Sequence, residues 1–580
     1  MHLAELNIEN FRKLGKVCLS FQPGLNILVG ANNVGKTAVV DSLRALLASP
    51  DEYLPRLKTE DLRVPPNGEA MPSSITLHYI FRGLSLDDEA DFLPALKPNG
   101  KGTLDAHITV RYSDPDSSGR LRAKRWCGDH EDVGLTSDMM ENLRGVYLPP
   151  LRDASQGLKP SRTSQLARLL QLLADDPGRD GIDKALKILD GELKKHQPLI
   201  DTQTAIETRH KAMLGKQLAQ TLEVGLSASD FQKMSSRLSL LVDSLEIEQN
   251  GLGFNNLIYM AVVLSELSKS PEAAYRGLIV EEPEAHLHPQ LQAVLLRYLQ
   301  GVHNAAKDER SVQVFVTSHS PNFASIAKLE SLTCLVETDT GVDAFFPRKV
   351  HFEPGKREKL ERFLDATRAE LFFARKAIFV EGAAELILIH VLAERAGYDL
   401  RGHAISLISV EGLNFDCFLP LFGEKALRIP VAVITDADPE SVDLSILYPA
   451  PGAAAEVSDN TNKMLELQDS FVKVFHGLKT FEYDFALHAT NRDAMIKALK
   501  ELHPKIGANV ATSVAAAISE AEKARALFSG MFERESNNVQ KGRFSQALAQ
   551  ILSDPAIPCE VPKYIRDAIE HVCTMNPIAP

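Results

Sequence analysis

The chain has 580 residues, 44% of them hydrophobic and 24% charged, and its formal net charge at pH 7 is −13. At roughly 100 to 200 residues per domain this length predicts several domains, and the composition excludes collagen-like, low-complexity and wholly disordered proteins. The negative charge implies that any nucleic acid must be held by local basic surface or by metal ions. No Cys-x-x-Cys pair and no long uncharged apolar stretch occur, so we expect a cytoplasmic protein without a zinc ribbon or membrane span.

A nucleotide-binding loop is predicted near the N-terminus. Alternating apolar residues from Leu3 to Ile8 predict a hairpin that leads into a buried strand, Leu25 to Val29. The segment Gly30 to Thr37 then matches the Walker A pattern and opens a helix, although a plain glycine turn is the alternative. In such a loop backbone N–H groups surround the phosphates, the lysine reaches the β and γ phosphates, and the threonine hydroxyl binds Mg²⁺. The residues expected to bind ATP here are Gly30, Asn32, Asn33, Gly35, Lys36 and Thr37.

Two later strands end in polar groups that suit the same site. The apolar strand Gly277 to Val280 is followed by Glu281 and Glu282, a Walker B pair in which the first glutamate holds Mg²⁺ and the second acts as the base. The strand Val312 to Val316 is followed by His319, at the position of a γ-phosphate-sensing histidine. The alternatives are a solvated acidic helix start for the glutamates and a structural role for the histidine.

The segment Gly251 to Asn256 opens an apolar helix just before the Walker B strand. This is the position of the signature motif of ABC-type ATPases, where Gly253 would complete the nucleotide site of an opposite protomer. Taken alone, its two glycines would be an ordinary helix start. The four motifs in this order resemble an ABC or SMC-type ATPase head, and Ile8 to Arg12 resembles the opening strand of RecF- and SMC-like proteins. The resemblance implies a dimer with two shared ATP sites.

A helical insertion is predicted between Walker A and Walker B. Apolar residues recur there at helical spacing, but no coiled coil of three or four heptads fits, because the pattern is interrupted at Gly178, Gly181, Pro198 and Gly215. We expect a small arm that packs against a second protomer. Arg152, just before it, either senses nucleotide or lies on a surface loop. The predicted domains are a first head part at 1–153, the helical dimerisation insertion at 154–237, a second head part at 238–355 and an α/β domain at 372–580.

Acidic residues follow predicted strands in the C-terminal α/β domain. The strand Lys376 to Val380 ends in a Glu-Gly pair, and the strand Ile429 to Thr435 ends in Asp-Ala-Asp. Open α/β folds place their sites at such strand ends, and residues i and i+2 of an extended chain face the same side. Carboxylates this close repel one another unless Mg²⁺ or Mn²⁺ neutralises them. We therefore predict a metal site formed by Glu381, Glu385, Asp436 and Asp438.

A second acidic pair and a lysine complete the candidates. Glu482 and Asp484 follow the predicted strand Val472 to Phe475, and their alternation could supply a second metal ion about 3.5 to 4 Å from the first, as two-metal phosphodiester hydrolysis requires. Lys541 precedes a helical run and could neutralise the scissile phosphate. The alternatives are helix capping or surface charge for the acids and a solvated lysine.

A strand ending in Glu-Gly followed by one ending in Asp-x-Asp resembles the Toprim fold of topoisomerases, primases and some nucleases. Joined to the head, it is similar to the OLD (overcoming lysogenization defect) family of ATP-linked nucleases, which includes the nuclease subunit of Gabija anti-phage systems. The resemblance implies an α/β protein with an ABC-type ATPase head, a helical dimerisation insertion and a Toprim α/β domain. It also implies that DNA is cut with divalent metals. The metal-binding acids would be Glu381, Glu385, Asp436 and Asp438, the second acidic cluster Glu482 and Asp484, and the catalytic lysine Lys541.

We therefore expect an ATP-binding DNA endonuclease with two Mg²⁺ or Mn²⁺ ions in the Toprim site. It would be a homodimer or a larger assembly such as a tetramer, with a helicase or another defence-system protein as a possible partner. Two alternatives stay open. One is a RecF-type DNA-repair ATPase whose acids only bind; the other is primase-like synthesis, which the lack of a zinc-binding module before the Toprim segment disfavours.

Overall fold

The computed structural model describes residues 1–575 except 49–53, 66–69, 101, 151–156, 162–163, 228–229, 270–272, 305–308 and 339–340. The strands are β1 (His2–Phe11), β2 (Leu14–Ser20), β3 (Leu25–Val29), β4 (Ile75–Arg82), β5 (Leu96–Pro98), β6 (Leu104–Ser113), β7 (Arg122–Cys127), β8 (Leu143–Leu148), β9 (Leu241–Val242), β10 (Leu245–Glu246), β11 (Tyr275–Glu281), β12 (Gln313–Thr317), β13 (Leu332–Thr338), β14 (Gly341–Phe345), β15 (Lys376–Val380), β16 (Ile405–Ser409), β17 (Val431–Thr435) and β18 (Val472–His476).

The α-helices in the described residues are α1 (Lys36–Leu47), α2 (Leu86–Asp91), α3 (Ser137–Asn142), α4 (Gln165–Leu173), α5 (Asp176–Leu193), α6 (Gln197–Leu218), α7 (Phe231–Ser235), α8 (Leu252–Lys269), α9 (Pro289–Gly301), α10 (Pro321–Ile326), α11 (Lys356–Phe363), α12 (Ala383–Arg395), α13 (Phe415–Phe418), α14 (Leu444–Leu447), α15 (Asp459–Leu465), α16 (Phe481–Ala486), α17 (Ala489–Leu502), α18 (Pro504–Ala516), α19 (Glu520–Phe532), α20 (Lys541–Leu552) and α21 (Lys563–Thr574). Among the described residues, no helix is both long and apolar enough to span a membrane.

A six-stranded sheet forms the centre of the N-terminal half, in the order β14-β13-β3-β12-β11-β8. Its neighbouring strands are parallel except β14, which is antiparallel to β13. The strands β3, β11 and β12 are buried along their whole length, as expected for parallel strands that are covered on both faces. Their carboxyl ends lie side by side and bring the Walker A loop next to the Walker B strand.

An antiparallel sheet in the order β2-β1-β4-β6-β5, with β7 paired to β6, packs beside the first sheet. The predicted hairpin is confirmed as β1 and β2, and the predicted strands around residues 75–81 and 108–112 are confirmed as β4 and β6. One core joins this sheet to helix α1 through residues such as Ile8, Leu43 and Leu77. The antiparallel sheet therefore supports the helix that begins at the Walker A loop.

The segment between the two head parts is helical, as predicted, and is formed by α4 to α7. The interruptions differ from the prediction, since Gly178 and Gly181 lie inside α5 and Pro198 lies in the first turn of α6. A glycine inside a helix costs only about 1 kcal/mol, and a proline in the first turn lacks an N–H that would have no helical partner. Gly215 does break the helix, with a φ of 73°. Helix α5 has no buried residue among its 18.

The C-terminal part contains a parallel sheet in the order β16-β15-β17-β18. Strands β15 and β17 are buried throughout, and helices from α12 to α21 cover the sheet through a core of their own. A second core joins this sheet to the ATPase head, because Phe323 of α10 and Phe379 of β15 belong to the same cluster of buried residues. The predicted domain ranges 1–153, 154–237, 238–355 and 372–580 stay predictions.

Replacing Gly145 tests the packing of α1 on β8. A Cβ atom at this position would lie 1.8 Å from the Leu47 carbonyl oxygen, so we expect Gly145→Ala to lower the free energy of unfolding by roughly 1 to 3 kcal/mol. The control is Gly191→Ala in helix α5, where a Cβ meets nothing within 4 Å and a gain of about 0.4 to 1 kcal/mol is expected. Urea unfolding followed by circular dichroism measures both, and equal stability of the two variants would contradict the described contact.

Candidate functional site

The loop between β3 and α1 has the backbone shape that wraps a phosphate group. Gly30 and Gly35 have φ values of 147° and 111°, and Asn33 has a φ of 63°. A Cβ atom at Gly30 would lie 2.6 Å from the Leu335 carbonyl oxygen, so the close approach of β13 also requires glycine there. The backbone N–H groups of the loop can therefore turn toward a bound anion.

Lys36 is held on this loop by its own side chain. Its Nζ atom donates to the carbonyl oxygens of Gly30, at 2.6 Å, and Ala31, at 2.9 Å. Burial lowers the pKa of Lys36 to about 8, although the charges of Glu282 and Glu284 oppose the shift. Asn32 and Thr37 are exposed beside it. Lys36 itself is 5% exposed, so its ammonium group lies inside the loop, against these carbonyl oxygens.

The two Walker B glutamates lie at the end of β11, beside the loop. Tyr147 Oη donates to Glu281 Oε1 at 3.3 Å, and burial together with the charge of Asp41 raises the pKa of Glu281. Glu282 has a φ of 46°, and its Oε1 lies 3.7 Å from His319 Nε2. The structure thus brings together the Walker B pair and the histidine that sequence patterns singled out separately.

Glu284 is a residue of this site to which the sequence analysis gave no role. Its Oε1 accepts hydrogen bonds from Ser318 Oγ at 2.7 Å and from the His319 N–H at 3.1 Å. Burial raises the pKa of Glu284, and its second oxygen is shielded and has no hydrogen-bond partner. Glu284 therefore ties the His319 loop to the Walker B turn. The available signal was a third acid shortly after the pair.

The signature segment meets the Walker B turn of its own chain. A Cβ atom at Gly253 would lie 2.5 Å from the His286 carbonyl oxygen, so helix α8 begins in close contact with that turn. Leu252 and Phe254, on either side, are 55% and 53% exposed. An apolar helix start left in water is compatible with an interface, but the contact of Gly253 with a second protomer stays a prediction.

Arg12, from the opening motif, joins the antiparallel sheet to the Walker A helix. Its Nη1 lies 2.8 Å from Asp41 Oδ2 in α1, and its Nε lies 2.8 Å from Asp61 Oδ1. Asp41 is also the charge that acts on Glu281. The arginine therefore positions the helix beside the Walker B strand. Arg152, the other candidate arginine, lies outside the described residues.

A second polar edge lies where β15, β17 and β18 end. Glu381 follows β15, and its Oε1 accepts from Thr435 Oγ1 at 2.7 Å and from the Asp436 N–H at 2.9 Å. Asp436 follows β17, and its Oδ1 accepts from the Phe481 N–H at 2.9 Å at the start of α16. Three neighbouring parallel strands therefore deliver the acids to one edge, as open α/β sheets do.

Lysine and glutamate from later helices complete this edge. Lys541 Nζ, at the start of α20, donates to Glu482 Oε2 at 2.9 Å. Glu482 is 1% exposed, and its other oxygen has no hydrogen-bond partner. Glu385, 8% exposed, accepts from the Gly382 N–H at 3.0 Å. The predicted residues Glu381, Glu385, Asp436, Glu482 and Lys541 thus share one region.

The electrostatics of this cluster indicate an unbalanced negative charge. Burial, followed by the charges of Glu381, Glu482 and Glu385, raises the pKa of Asp436 well above its ordinary value. Burial and the charges of Glu482 and Glu381 also raise the pKa of Glu385. Burial lowers the pKa of Lys541, but the carboxylates, Glu482 first, outweigh it, and the net shift is upward. The lysine is thus a counter-charge to at least three acids.

This donor set fits a hard divalent cation. All the candidate ligands are carboxylate oxygens, which Mg²⁺ and Mn²⁺ prefer, and the buried Glu482 oxygen without a partner is one such ligand. In the described part of the chain, however, no three His, Cys, Asp or Glu side chains already form a closed ligand set. The acids are adjacent, and Lys541 supplies the positive charge between them.

Asp438 is not positioned as an extended-chain pattern predicts. Strand β17 ends at Thr435, and Asp438 has a φ of 48°, so the i, i+2 rule does not apply to the pair. The side chain of Asp438 is exposed. Partial desolvation raises the pKa of Asp438, while Lys541 and Lys479 oppose the shift. Its carboxylate nevertheless stays within electrostatic range of the cluster.

The alternation inferred for Glu482 and Asp484 is wrong, because both lie in helix α16. Residues two apart in a helix point to nearly opposite sides. Asp484 accepts hydrogen bonds from the backbone N–H groups of Leu478 and Lys479 at 2.9 to 3.3 Å, and burial raises the pKa of Asp484 to about 7. It therefore holds a turn, and its role as a metal ligand is a prediction that this geometry does not favour.

Lys479 is a second contributor that sequence patterns missed. Its carbonyl oxygen accepts from the N–H groups of Ala437, at 2.9 Å, and Asp438, at 3.1 Å. Its ammonium group lies 4.5 Å from the centre of the Tyr448 ring. The backbone of this residue shapes the loop that carries Asp436 and Asp438, and no local pattern marks such a contact.

Comparisons with known proteins give the class. The AAA ATPase domain family matches residues 1–125 and 146–324, more than half of the chain, and the TOPRIM domain of overcoming lysogenization defect-like proteins matches residues 372–438. The chain therefore belongs to the AAA ATPase domain family and carries an OLD-like TOPRIM domain. The predicted fold class and the OLD resemblance are confirmed, and nucleotide binding and divalent-metal use are properties of these two domains.

Individual relatives are named for nuclease activity. The chain is 27% identical over 477 residues to the OLD nuclease of Thermus scotoductus, which covers 76% of this chain and 83% of that protein. It is 23% identical over 365 residues to Endonuclease GajA of Bacillus cereus, covering 53% and 52%. Among solved structures, the C-terminal region of the Burkholderia pseudomallei OLD protein is 27% identical, with a TM-score of 0.25, and covers 35% of this chain and 98% of that one.

Removing the Glu284 carboxylate should separate ATP binding from hydrolysis. Because Glu284 fixes the His319 loop, we expect Glu284→Ala to lower the ATP turnover rate by roughly 100-fold while nucleotide affinity stays within about twofold of the wild type. Glu284→Gln keeps the accepting oxygen and is the matched control. Phosphate release and fluorescent-nucleotide binding measure the two quantities, and an unchanged turnover rate for Glu284→Ala would contradict the assignment.

Two isosteric variants distinguish a metal ligand from a turn-holding residue. We expect Mn²⁺ to raise the thermal midpoint of the wild type by mass action and Glu482→Gln to lose that rise. Asp484→Asn should keep the rise but begin from a lower midpoint, because one backbone N–H loses its acceptor at a cost of about 1 to 3 kcal/mol. Differential scanning fluorimetry with and without Mn²⁺ measures the midpoint and its rise. If Asp484→Asn lost the rise with Mn²⁺, Asp484 would be a metal ligand after all.

Proposed function

We propose that this protein is an ATP-linked, divalent-metal-dependent DNA endonuclease that hydrolyses phosphodiester bonds at its TOPRIM domain. The observation that carries the proposal is the edge of the parallel sheet, where Glu381, Asp436 and the buried Glu482 lie next to Lys541. The relatives named as an OLD nuclease and an endonuclease, together with the TOPRIM domain of this chain, support the same reaction class.

The carboxylates of Glu381, Asp436 and Glu482 are proposed to hold a Mg²⁺ or Mn²⁺ ion. When bound, such an ion polarises the phosphate and favours a water-derived nucleophile. Glu385 and Asp438 are the adjacent acids proposed for a second ion. Lys541 orients Glu482 and places its positive charge where the negative charge of a scissile phosphate would enter the site.

The head is proposed to bind ATP and to regulate the nuclease domain. Lys36 would leave the two loop carbonyls for the phosphates, and Thr37 with Glu281 would hold the Mg²⁺ of the nucleotide. Glu282 would act as the base, with His319 beside it to sense the γ-phosphate. Gly253 is proposed to contact the nucleotide of a second protomer, which makes a homodimer the smallest competent assembly and leaves a tetramer compatible.

The alternative is a RecF-type ATPase that does not cleave DNA, and the carboxylate edge disfavours it. A binding platform would not need acids whose pKa values are raised, first by burial and then by the negative charge of their neighbours, at one edge of the sheet. The proposed activity requires the acids to be neutralised by cations and is therefore abolished when the cations are removed. The two candidates differ in one measurable property, which is metal-dependent cleavage.

Plasmid nicking by the full chain tests the proposal. We expect nicking in Mg²⁺ or Mn²⁺, none in EDTA, and a rate at least ~100-fold lower for Asp436→Ala, because a lost metal contact costs at least that much. Lys541→Arg should retain more activity than Lys541→Ala, since it keeps the positive charge. Glu466→Ala, an exposed acid of the same domain, is the control. Cleavage that is independent of Asp436, with ATP hydrolysis intact, would favour the RecF-type alternative.

A further inference from the structure

A basic pocket lies on the antiparallel sheet of the head, away from both sites described above. It has a volume of about 490 Å³ and opens between the segment 54–57 and the hairpin of β6 and β7. None of its lining residues belongs to the Walker motifs or to the carboxylate edge. Four of them are arginines, namely Arg56, Arg120, Arg122 and Arg125.

Among the described residues that line this pocket, arginines outnumber acids. Among its described lining residues the acid is Asp116, whose Oδ1 accepts hydrogen bonds from Ser118 N–H, Ser118 Oγ and Arg120 N–H. These bonds lower the pKa of Asp116 and hold its charge in its own turn. Arg120, Arg122 and Arg125 against this one aspartate make a local excess of positive charge among the described lining residues, on a chain whose net charge is −13.

Two polar atoms at the pocket wall have no hydrogen-bond partner within the described part of the chain. Tyr112 is 2% exposed, and its Oη atom is shielded and unpaired. Arg125 donates from Nη2 to the Ala45 carbonyl oxygen at 3.3 Å, but its Nε is also shielded and unpaired. Tyr112 and Arg125 lie on the same side of the β6–β7 pair. Buried donors are normally satisfied, so two of them in an arginine-lined pocket indicate an anionic acceptor.

The shape of the pocket favours a chain of phosphates over a single small anion. Guanidinium groups bind phosphate oxygens in a bidentate manner, and Arg120 and Arg122 are exposed at the rim while Arg125 is partly buried. The pocket is a groove beside β7, which pairs with β6 along its length and is bridged to Gly134 only at Trp126 among the described residues. A groove with arginines at different depths can contact successive phosphates of a nucleic-acid backbone that extends beyond the groove. A closed cleft cannot hold such a backbone.

We propose that this pocket binds the phosphate backbone of DNA and anchors the substrate to the ATPase head. The proposal rests on the endonuclease function proposed above and adds where the substrate is held. Contacts of this kind position a duplex without reading its sequence. The anchor would supply the local basic surface that an acidic chain needs for a polyanion.

Binding of a labelled DNA duplex to the full chain in EDTA, followed by fluorescence anisotropy, tests the proposal without cleavage. We expect Arg120→Glu/Arg122→Glu to weaken binding at least tenfold and to make the slope of log K against log salt shallower by about two, one for each lost phosphate contact. The control is Arg297→Glu/Arg566→Glu, which changes two exposed arginines elsewhere and shifts the net charge equally. Equal affinities of the two double variants would overturn the proposal.

Tyr112→Phe provides a second, charge-neutral measurement. It removes the unpaired hydroxyl, so the thermal midpoint should not fall, whereas DNA affinity should fall about threefold or more. Wild-type DNA affinity in this variant would overturn the contact. If the arginine variants lost binding of ATP or inorganic pyrophosphate outside the Walker site but kept DNA binding, the pocket would be a small-anion site and the proposal would be wrong.

The outcome is separable from that of the nuclease proposal. Asp436→Ala should bind DNA as the wild type does and fail to cut it, whereas the arginine double variant should cut at saturating DNA but with a raised KM. If the wild-type chain does not cut DNA, but Arg120→Glu/Arg122→Glu binds DNA more weakly than the wild type, the nuclease proposal is wrong and the DNA-binding pocket is supported.

Discussion

The cost of placing carboxylates at the partly desolvated ends of parallel strands is the constraint on which both polar sites depend. In the head, β3, β11 and β12 end beside one another and bring Glu281 and Glu282 to the Walker A loop. In the C-terminal sheet, β15, β17 and β18 do the same for Glu381, Asp436 and Glu482. Acids in such places are destabilising unless a cation meets them, so each edge is organised to receive positive charge.

At each edge, a lysine side chain donates hydrogen bonds to other residues of the chain. Lys36 donates to two carbonyl oxygens of its loop, and Lys541 donates to Glu482. The two edges thus follow the same physical principle although one belongs to an ATPase domain and the other to a TOPRIM domain.

Local patterns predicted what local geometry determines. We could predict the Walker A loop, the buried strands and the acids at their ends. These features depend on the positions of glycines and of apolar residues that are close together in the sequence. The pairing of Glu482 with Asp484 failed because a strand was assumed where helix α16 begins, and the side-chain period differs between the two. The extended conformation predicted for Asp438 was wrong because β17 ends three residues before it.

Contacts between distant segments were not predictable in this way. Glu284 meets Ser318 only because β11 and β12 are neighbours, and Lys479 shapes the Asp436 loop through its backbone. The arginine pocket likewise depends on the register of β7 on β6, which places Ala123 opposite Tyr112. Such features carry no motif, because one contact through a carbonyl oxygen or across a strand pair imposes no pattern on its neighbours.

The chain order of the C-terminal edge has a consequence for biosynthesis. Glu381 and Asp436 leave the ribosome well before Lys541, which reaches Glu482 from helix α20. A chain interrupted before α20 therefore has the nucleotide loop and the acids Glu381, Asp436 and Glu482, but not the lysine that balances them. The charge of this edge is therefore balanced by the protein itself only after helix α20 has been synthesised.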